Sequence, residues 1–334
     1  MKAMQLKHFA PIEQNPLALA DLPIRRPEPH EILVRVKVCG VCHTDLHTVE
    51  GELPNVRLPI IPGHQIVGVV EEMGGKASRF EVGDRVGIAW LHSVCEDCGY
   101  CDRDRENLCE SARFTGYHVD GGYAEFTVIP EKFAYKIPDV FSDEEASPLL
   151  CAGIIGYRAL RLSEIKPGQK LGLYGFGASA HVAIQVAVHW GCEVYVFSRS
   201  QAHQEHARQL GAAWAGTSKD DPPEKLDASI NFTPAGETVL DGLRHLDKGG
   251  THALAGIYMS PIPEMDYSEY LYHERTLRSV ANATRRDGEE LLEVAAEIPI
   301  RTTTTAFPLE EANHALKLVK ESAIDGAAIL RISE

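Results

Sequence analysis

Four closely spaced cysteines constrain this chain more than any other feature of its sequence. They lie in the stretch VCEDCGYCDRDRENLC, with the spacing C-x2-C-x2-C-x7-C. Gaps this short allow one loop to wrap a zinc ion, which prefers four tetrahedral ligands and binds sulfur at about 2.3 Å. An iron–sulfur cluster and unligated thiols are the alternatives, but a loop without apolar shielding suits a redox-inert ion better. Four thiolates leave no open position, so we expect a structural site made by Cys95, Cys98, Cys101 and Cys109.

Composition limits the kind of protein and its partners. A length of 334 residues, 44% of them hydrophobic and 24% charged, predicts a globular protein of about two domains. The formal net charge of −15 argues against a nucleic-acid or anionic-membrane partner, since each needs a basic face. No apolar run approaches the roughly 18 residues of a membrane span, and the N-terminus lacks a secretory signal. We therefore expect a cytoplasmic protein, in which clustered cysteines more often bind metal than form disulfides.

Apolar periodicity changes near residue 150. Before it, stretches such as EILVRVKVCGV (31–41) and IVGVVEEMG (66–74) alternate apolar and polar residues between glycines and prolines. This pattern predicts an antiparallel barrel or sandwich. After it, strand-like runs such as KLGLYGFG (170–177) alternate with helical stretches, which predicts parallel strands with right-handed crossovers. An amphipathic helix, LEEANHALKLVKES (309–322), lies between two more strand-like stretches near the C-terminus.

A second metal site is suggested by three residues that are far apart in the chain. Cys42 lies in CGVCHTDLH, His64 in PGHQIVG and Cys151 in LLCAGIIGY. Two thiolates and one imidazole would make a three-ligand zinc site with its fourth position open, as catalytic zinc requires. Spacing alone leaves the alternative that each is an ordinary core residue.

These segments, with the cysteine loop between them, resemble the zinc-dependent alcohol dehydrogenases of the medium-chain dehydrogenase/reductase superfamily. The resemblance covers essentially the whole chain, in the family's order. It implies an α/β protein with a GroES-like antiparallel β-barrel catalytic domain and a Rossmann cofactor domain with a doubly wound parallel sheet. It also implies one catalytic zinc on Cys42, His64 and Cys151, one structural zinc on the four-cysteine loop, and a homo-oligomer, dimer or tetramer. The implied ranges are 1–150 (with the zinc lobe at about 92–112), 151–280, and 281–334, which returns to the catalytic domain.

The resemblance also implies roles for the residues that follow Cys42. Thr44 would hydrogen-bond the substrate oxygen, and His47 would pass its proton through the cofactor ribose to solvent. His43 would contact the cofactor pyrophosphate, and Asp45 would orient the zinc-bound imidazole. The alternative for Thr44 and Asp45 is the capping of a helix.

Three positions distinguish this chain within the family. The usual Gly-His-Glu reads Gly-His-Gln here, so Gln65 lacks the charge that normally lies behind the metal. Trp90 matches an aromatic wall beside the zinc, with a core tryptophan as the alternative. Leu53 lies near a position that holds tryptophan in ethanol-preferring relatives, so the smaller side chain should admit longer or branched primary alcohols.

A dinucleotide fingerprint follows the first strand of the second half. LYGFGASAHVAI places Gly175, Gly177 and Ala180 in the pattern G-x-G-x-x-A between a strand and a helix. The first glycine makes the tight turn, the second lets the backbone approach pyrophosphate, and the third position needs only a small residue.

The end of the next strand predicts which nicotinamide cofactor is preferred. NAD-binding proteins usually place a carboxylate there, but this chain has Ser198 and Arg199. A guanidinium and a hydroxyl can bind the 2′-phosphate of NADP, which a carboxylate would repel. We therefore expect NADP(H) rather than NAD(H), the alternative being a surface arginine beside a helix-capping serine. Arg285, in NATRRD, matches a family segment that reaches the cofactor, so it is expected to bind pyrophosphate or the nicotinamide ribose.

The sequence thus predicts a zinc-dependent oxidoreductase that interconverts primary alcohols and aldehydes by hydride transfer, with NADP(H) preferred. An NAD-dependent alcohol dehydrogenase of the same family is the first alternative. A zinc-independent quinone or enone reductase lacks the metal ligands found here. A non-enzymatic dinucleotide-binding or structural protein on the same fold would not need an open metal site. Metal content and the effect of chelation discriminate among these proteins.

Overall fold

A computed structural model describes residues 1–324 and 326–333 of the chain. The chain forms two compact units: unit 1 is Met1–Cys151 with Asn282–Glu334, and unit 2 is Ala152–Ala281. The boundaries that we expected at 150/151 and 280/281 differ from these by one residue. No helix in the described ranges is long and apolar enough to cross a membrane.

Most strands of unit 1 lie in its N-terminal part, before residue 151. Its longest strand is buried at nearly every residue, because it pairs with three others and has no solvent-facing side. The elements before residue 151 are β1 (Lys2–Leu6), β2 (Leu17–Asp21), β3 (Glu31–Val41), α1 (His43–Glu50), β4 (Ile66–Met73), β5 (Arg85–Ile88), β6 (Leu91–Ser93), β7 (Arg113–Phe114), β8 (Phe126–Pro130), β9 (Ala134–Lys136) and α2 (Asp143–Ala146).

Unit 2 is a parallel six-stranded sheet with helices between its strands. The strand order is β12-β11-β10-β13-β14-β15. The strands β11 and β12 therefore lie on one side of β10, and β13, β14 and β15 lie on its other side. This 3-2-1-4-5-6 order is that of the doubly wound dinucleotide-binding fold, as expected. Its elements are α3 (Ala152–Leu162), β10 (Lys170–Tyr174), α4 (Ala178–His189), β11 (Glu193–Phe197), α5 (Gln201–Gln209), β12 (Trp214–Gly216), β13 (Leu226–Asn231), α6 (Glu237–His245), β14 (Leu246–Leu254), α7 (Tyr267–Tyr270) and β15 (Thr276–Ser279).

The chain then returns to unit 1 and completes its main sheet. The seven strands of that sheet run in the order β16-β17-β3-β4-β5-β9, with β8 on β3. All pairs are antiparallel except β16–β17, which is parallel because a helix carries the chain back between them. The returning elements are α8 (Arg285–Glu297), β16 (Thr304–Pro308), α9 (Ala312–Lys320) and β17 (Ala327–Arg331).

Candidate active site and metal centres

Two thiols and one imidazole meet inside unit 1. Cys42 Sγ lies 3.5 Å from His64 Nε2, and Cys151 Sγ lies 3.4 Å from the same nitrogen. Tetrahedral zinc, with nitrogen at about 2.0 Å and sulfur at about 2.3 Å, would hold such a pair of atoms about 3.5 Å apart. The three ligand atoms lie within 4.8 Å of one another and therefore fit a single ion.

Asp45 joins the first two of these ligand-bearing segments. One carboxylate oxygen accepts the backbone N–H of Cys42 at 3.0 Å, at the start of α1. The other oxygen contacts His64 Nδ1 at 3.1 Å and accepts the Gly63 N–H at 3.2 Å. The carboxylate is 2% exposed, so these contacts are protected from water. Holding Nδ1 in this way leaves Nε2 facing the two thiols, which is how metal-binding histidines are usually oriented.

A serine holds the third segment in place. Cys151 follows the short 3-10 helix Ser147–Leu150. The Ser147 hydroxyl donates to the Gln65 carbonyl oxygen at 2.8 Å, and the Gly40 N–H donates to the same oxygen at 2.9 Å. The three ligand-bearing segments are therefore linked by hydrogen bonds that do not involve the ligands themselves. The Gln65 side chain is buried, and its Nε2 has no hydrogen-bond partner among the described residues.

The electrostatics of this cluster favour a cation. The neighbouring Cys151 thiol and burial raise the pKa of Cys42 well above its ordinary value. Burial alone would lower the pKa of His64, but the charges of Asp45 and Cys42 raise it to about 10. Both shifts arise because acidic groups are buried close together without a positive partner. A divalent cation would replace their protons, since zinc binds the deprotonated forms of these side chains.

The four cysteines of the loop form the second cluster. Cys109 Sγ lies 3.5 Å from Cys95 Sγ, and Cys101 Sγ lies 3.6 Å from Cys98 Sγ and 4.0 Å from Cys95 Sγ. Tetrahedral zinc would space its sulfur ligands by about 3.8 Å, whereas a disulfide requires about 2.05 Å. The backbone amides of Cys101 and Tyr100 lower the pKa of Cys98 to about 7, which favours its thiolate. The donor set therefore fits a closed four-sulfur zinc site.

Trp90 lies directly beside the three-ligand cluster. Its ring meets His64 edge-on at 4.8 Å between centroids and stacks on Phe114 at 5.2 Å. Tyr117 adds a third aromatic ring at 5.4 Å from Trp90 and donates its hydroxyl to the Pro54 carbonyl. Through this contact the aromatic group reaches the segment that contains the half-buried Leu53.

The polar residues after Cys42 occupy the first turns of α1. Thr44 and His47 are three residues apart, so their side chains lie on the same face of the helix. Thr44 is half-buried, and the His47 side chain is 20% exposed and contacts the Glu52 carboxylate through Nδ1. His43 is exposed, and its ring lies 6.4 Å from that of His47.

In unit 2, the glycine-rich turn joins β10 to α4. Gly175 has φ +83°, and a Cβ there would lie 2.8 Å from the Thr233 side chain, so only glycine fits. A Cβ on Gly177 would meet nothing within 4 Å, which leaves the amide groups at the start of α4 open to a phosphate. Ala180 is fully buried, as its packing position requires.

Ser198 and Arg199 follow β11 at the edge of this turn. The Ser198 N–H donates to the Gly216 carbonyl at 2.8 Å, and its hydroxyl accepts the Ser200 N–H at 3.4 Å. Arg199 is exposed and has no hydrogen-bond or ion-pair partner in the part of the chain that the structure describes. Its guanidinium is thus available to an anion in solution.

Comparison with known proteins agrees with this architecture. Residues 28–139 match the model of the alcohol dehydrogenase GroES-like domain, and residues 180–297 match that of the zinc-binding dehydrogenases. The probable alcohol dehydrogenase AdhA of Mycobacterium tuberculosis (strain CDC 1551 / Oshkosh) is 48% identical over 99% of this chain and 97% of its own length. An alcohol dehydrogenase of Geobacillus stearothermophilus is 36% identical over 99% of this chain and 100% of its own.

This chain belongs to the zinc-dependent alcohol dehydrogenase family of the medium-chain dehydrogenase/reductase superfamily. Among solved structures, a cobalt- and zinc-bound thermostable alcohol dehydrogenase from Pyrobaculum aerophilum is similar. It superposes with a TM-score of 0.89 at 26% identity and covers 100% of this chain and 99% of its own. The protein is therefore an oxidoreductase that uses zinc and a nicotinamide cofactor.

Arg285 of this dehydrogenase contacts the four-cysteine loop. The resemblance predicted a cofactor contact, but the side chain is engaged by the four-cysteine loop. Its backbone N–H and Nε donate to Glu106 at 2.8 and 2.9 Å, and Nη1 lies 3.4 Å from Glu96. The guanidinium also lies over the Phe133 ring at 4.6 Å. A guanidinium held by two carboxylates has little capacity left for pyrophosphate, so we now expect Arg285 to support the four-cysteine loop rather than to bind the cofactor.

Several residues of the dehydrogenase site were not predicted from the sequence. Ser147, Phe114 and Tyr117 act through neighbours that are distant in the chain, and no local pattern marks them. Glu52 is different, because it lies in the polar segment after α1, five residues beyond His47. A carboxylate at that distance from a proposed proton-transfer histidine is a signal that the sequence offered.

Proposed function

We propose that this dehydrogenase interconverts primary alcohols and aldehydes, with NADP(H) as its preferred cofactor. The observation that most supports this is the convergence of Cys42, His64 and Cys151 beside the Trp90 ring. Zinc held by these three residues supplies Lewis acidity, which lowers the pKa of an alcohol and polarises an aldehyde carbonyl. The nicotinamide supplies or accepts the hydride.

The chain's own residues would move the proton. In our proposal the Thr44 hydroxyl accepts the alcohol proton and gives up its own towards the His47 imidazole, by way of the cofactor ribose. The partial exposure of His47 connects this path to solvent, and the Glu52 carboxylate contacts its ring through Nδ1. In the reductive direction the same path returns a proton to the substrate oxygen.

Asp45 would hold the His64 imidazole in its metal-binding orientation without touching the substrate. Its contacts with the Cys42 and Gly63 amides and with His64 Nδ1 support a role in orienting the imidazole. Cys95, Cys98, Cys101 and Cys109 would hold a second zinc ion that stabilises unit 1 and takes no part in turnover, because four sulfurs leave no open position.

The preference for NADP(H) is supported by Ser198 and Arg199. The exposed guanidinium of Arg199 has no partner among the described residues, and no carboxylate follows β11 in the sequence to repel a 2′-phosphate. Gly175, Gly177 and Ala180 would accommodate the pyrophosphate at the start of α4, and His43 remains a predicted pyrophosphate contact. These assignments rest on the charge and space at each position.

The substrate preference follows from an apolar wall and a small residue. The Trp90 ring would bound the pocket on one side, with Phe114 stacked behind it, and Leu53 would leave more room than a tryptophan. We therefore favour longer aliphatic, branched or aromatic primary alcohols and the corresponding aldehydes. These apolar walls do not suit polyols, which carry several hydroxyl groups.

We also propose a homo-oligomer that forms through unit 2, in the cytosol. The strand β15 lies at the edge of the parallel sheet, and Ile257, Tyr258 and Tyr272 are 53%, 63% and 62% exposed. Exposed aromatic side chains near an open strand edge support self-association. All eight cysteines are free of disulfides, which suits a reducing compartment. Light scattering after size-exclusion chromatography should give the mass of a dimer or tetramer, and a monomer would contradict this part.

Metal analysis and steady-state kinetics test the main proposal. We expect two zinc ions per chain, loss of turnover on chelation, and a higher kcat/KM with NADPH than with NADH across aliphatic and aromatic aldehydes. One ion per chain, or full activity without metal, would contradict the catalytic zinc site. A higher kcat/KM with NADH would favour the NAD-dependent alternative and leave the reaction unchanged.

A further inference from the structure

Tyr123 is a fully buried tyrosine whose hydroxyl has no hydrogen-bond partner among the described residues. Its backbone is fixed at both ends, since its N–H donates to the Pro62 carbonyl at 3.0 Å and its carbonyl accepts the Met4 N–H at 2.8 Å. A buried donor without a partner costs free energy, so native structures rarely leave one. The position of this hydroxyl therefore needs an explanation.

The Tyr123 ring lies against Gly63, next to the metal ligand His64. A Cβ on Gly63 would come within 2.4 Å of Cδ1 and 2.7 Å of Cε1 of this ring. Gly63 also has φ +96°, a conformation that other residues rarely adopt. This glycine therefore lets the ring approach the backbone whose amide donates to Asp45.

Asp45 has capacity for one more donor. Its carboxylate contacts the Cys42 N–H, the Gly63 N–H and His64 Nδ1, whereas a carboxylate offers about four acceptor positions. Burial, and then the negative charge of Asp45, raise the pKa of Tyr123 well above its usual value, so the hydroxyl keeps its proton. A buried donor without a partner and a buried acceptor with a spare position thus both lie beside Gly63.

Cys39 is the other polar neighbour of this hydroxyl. Its sulfur lies beside Gly63 and Gly122, and its thiol donates to the Gly40 carbonyl at 3.6 Å. A thiol sulfur is a weak acceptor compared with a carboxylate. Asp45 is therefore the better partner.

We propose that Tyr123 is a positioning residue of the catalytic metal site, which donates its hydroxyl proton to Asp45 and so fixes the carboxylate that orients His64. This inference rests on the proposed function, in which His64 binds zinc. Without the hydroxyl, the carboxylate would keep only the Cys42 and Gly63 amides beside its contact with Nδ1 and could turn more easily. Replacing Tyr123 by phenylalanine should therefore make metal release faster without leaving a cavity in the core, because phenylalanine keeps the ring.

The test compares Tyr123→Phe with Tyr135→Phe in the cobalt-substituted protein. Tyr135 is also buried in unit 1, but its hydroxyl lies against Gly288. The cobalt absorption that disappears in Cys42→Ser identifies the catalytic site. For Tyr123→Phe we expect a shifted absorption band and metal release to a chelator that is about 10-fold faster or more, the usual effect of losing such a support. Tyr135→Phe should match the wild type in both measurements.

A second background tests whether Tyr123 acts through Asp45. In Asp45→Asn, adding Tyr123→Phe should change metal release by less than about 2-fold, because the partner has already been altered. Equal release from Tyr123→Phe and Tyr135→Phe, or an undiminished effect in the Asp45→Asn background, would overturn the inference. If the wild type and Cys42→Ser bind the same amount of cobalt, the proposed catalytic site itself fails, which is a distinguishable outcome.

Discussion

Replacing Arg285 by methionine should destabilise unit 1 and leave cofactor binding unchanged. Arg285 joins the C-terminal return of the chain to the four-cysteine loop, through Glu106 and Glu96. The Glu106 side chain is 9% exposed and that of Arg285 is 26% exposed, so water screens this ion pair only in part. Methionine keeps the length of the side chain over Phe133 but removes the charge.

The magnitude follows from the carboxylate that is left behind. Removing one partner of a buried ion pair costs about 3–5 kcal/mol, because the other charge stays buried without compensation. The backbone N–H of residue 285 would still donate to Glu106 at 2.8 Å, which places the cost near the lower value. In a unit of about 200 residues, 1 kcal/mol changes Tm by about 2–4 °C, so about 3 kcal/mol should lower Tm by roughly 6–12 °C.

Thermal unfolding followed by circular dichroism in zinc-containing buffer measures this effect, and Arg286→Met is the matched control. Arg286 is the next residue, is 65% exposed and pairs with Glu290 four residues on at 2.6 Å. Such surface pairs contribute about 0.3–0.5 kcal/mol, so its Tm should fall by less than about 2 °C. If Arg285→Met keeps the wild-type Tm and instead raises KM for the cofactor, Arg285 contacts the cofactor and its assignment to the four-cysteine loop is wrong.

Four further substitutions test the site. Cys42→Ser should remove one of two zinc ions and abolish turnover with little change in Tm, whereas Cys95→Ser should remove the other ion and mainly lower Tm. Equal losses of activity with unchanged Tm would contradict this division between the two sites. Arg199→Asp should move the ratio of kcat/KM for NADPH and NADH about 10- to 150-fold towards NADH, since a charge-assisted hydrogen bond contributes about 1.5–3 kcal/mol; an unchanged ratio would refute the cofactor argument. Leu53→Trp should lower kcat/KM for branched and aromatic aldehydes more than for acetaldehyde, and an equal loss for all would remove Leu53 from the pocket.

Local features were predictable because their causes are local. The alternating stretch 31–41 corresponds to β3 (Glu31–Val41), and the glycine fingerprint lies at the junction of β10 and α4. All cysteines of the four-cysteine cluster lie in one loop, so their spacing alone predicts that they can bind one ion together. In each case the residues that decide the structure are neighbours along the chain.

Two outcomes depended on distant contacts. The strand-rich stretches before residue 150 predicted an antiparallel barrel or sandwich, and their strand pairs are antiparallel, but β16 and β17 of the returning chain are parallel because α9 returns the chain to the same end of the sheet. Arg285 matched a cofactor-binding segment by position, yet the nearest carboxylates belong to the four-cysteine loop, 179 residues earlier in the case of Glu106. Local sequence patterns do not predict an ion pair between residues that are so far apart in the chain.

The sequence by itself determined which side chains could bind metal and which turn could hold a dinucleotide, since ligand chemistry and backbone freedom belong to individual residues. Only the tertiary structure decided that Cys42, His64 and Cys151 meet, across separations of 22 and 87 residues. Sheet pairing of β3 with β4 and the hydrogen bonds of Asp45 and Ser147 bring these three segments together. Convergence of this kind is a property of the folded chain, because no spacing rule connects residues so far apart.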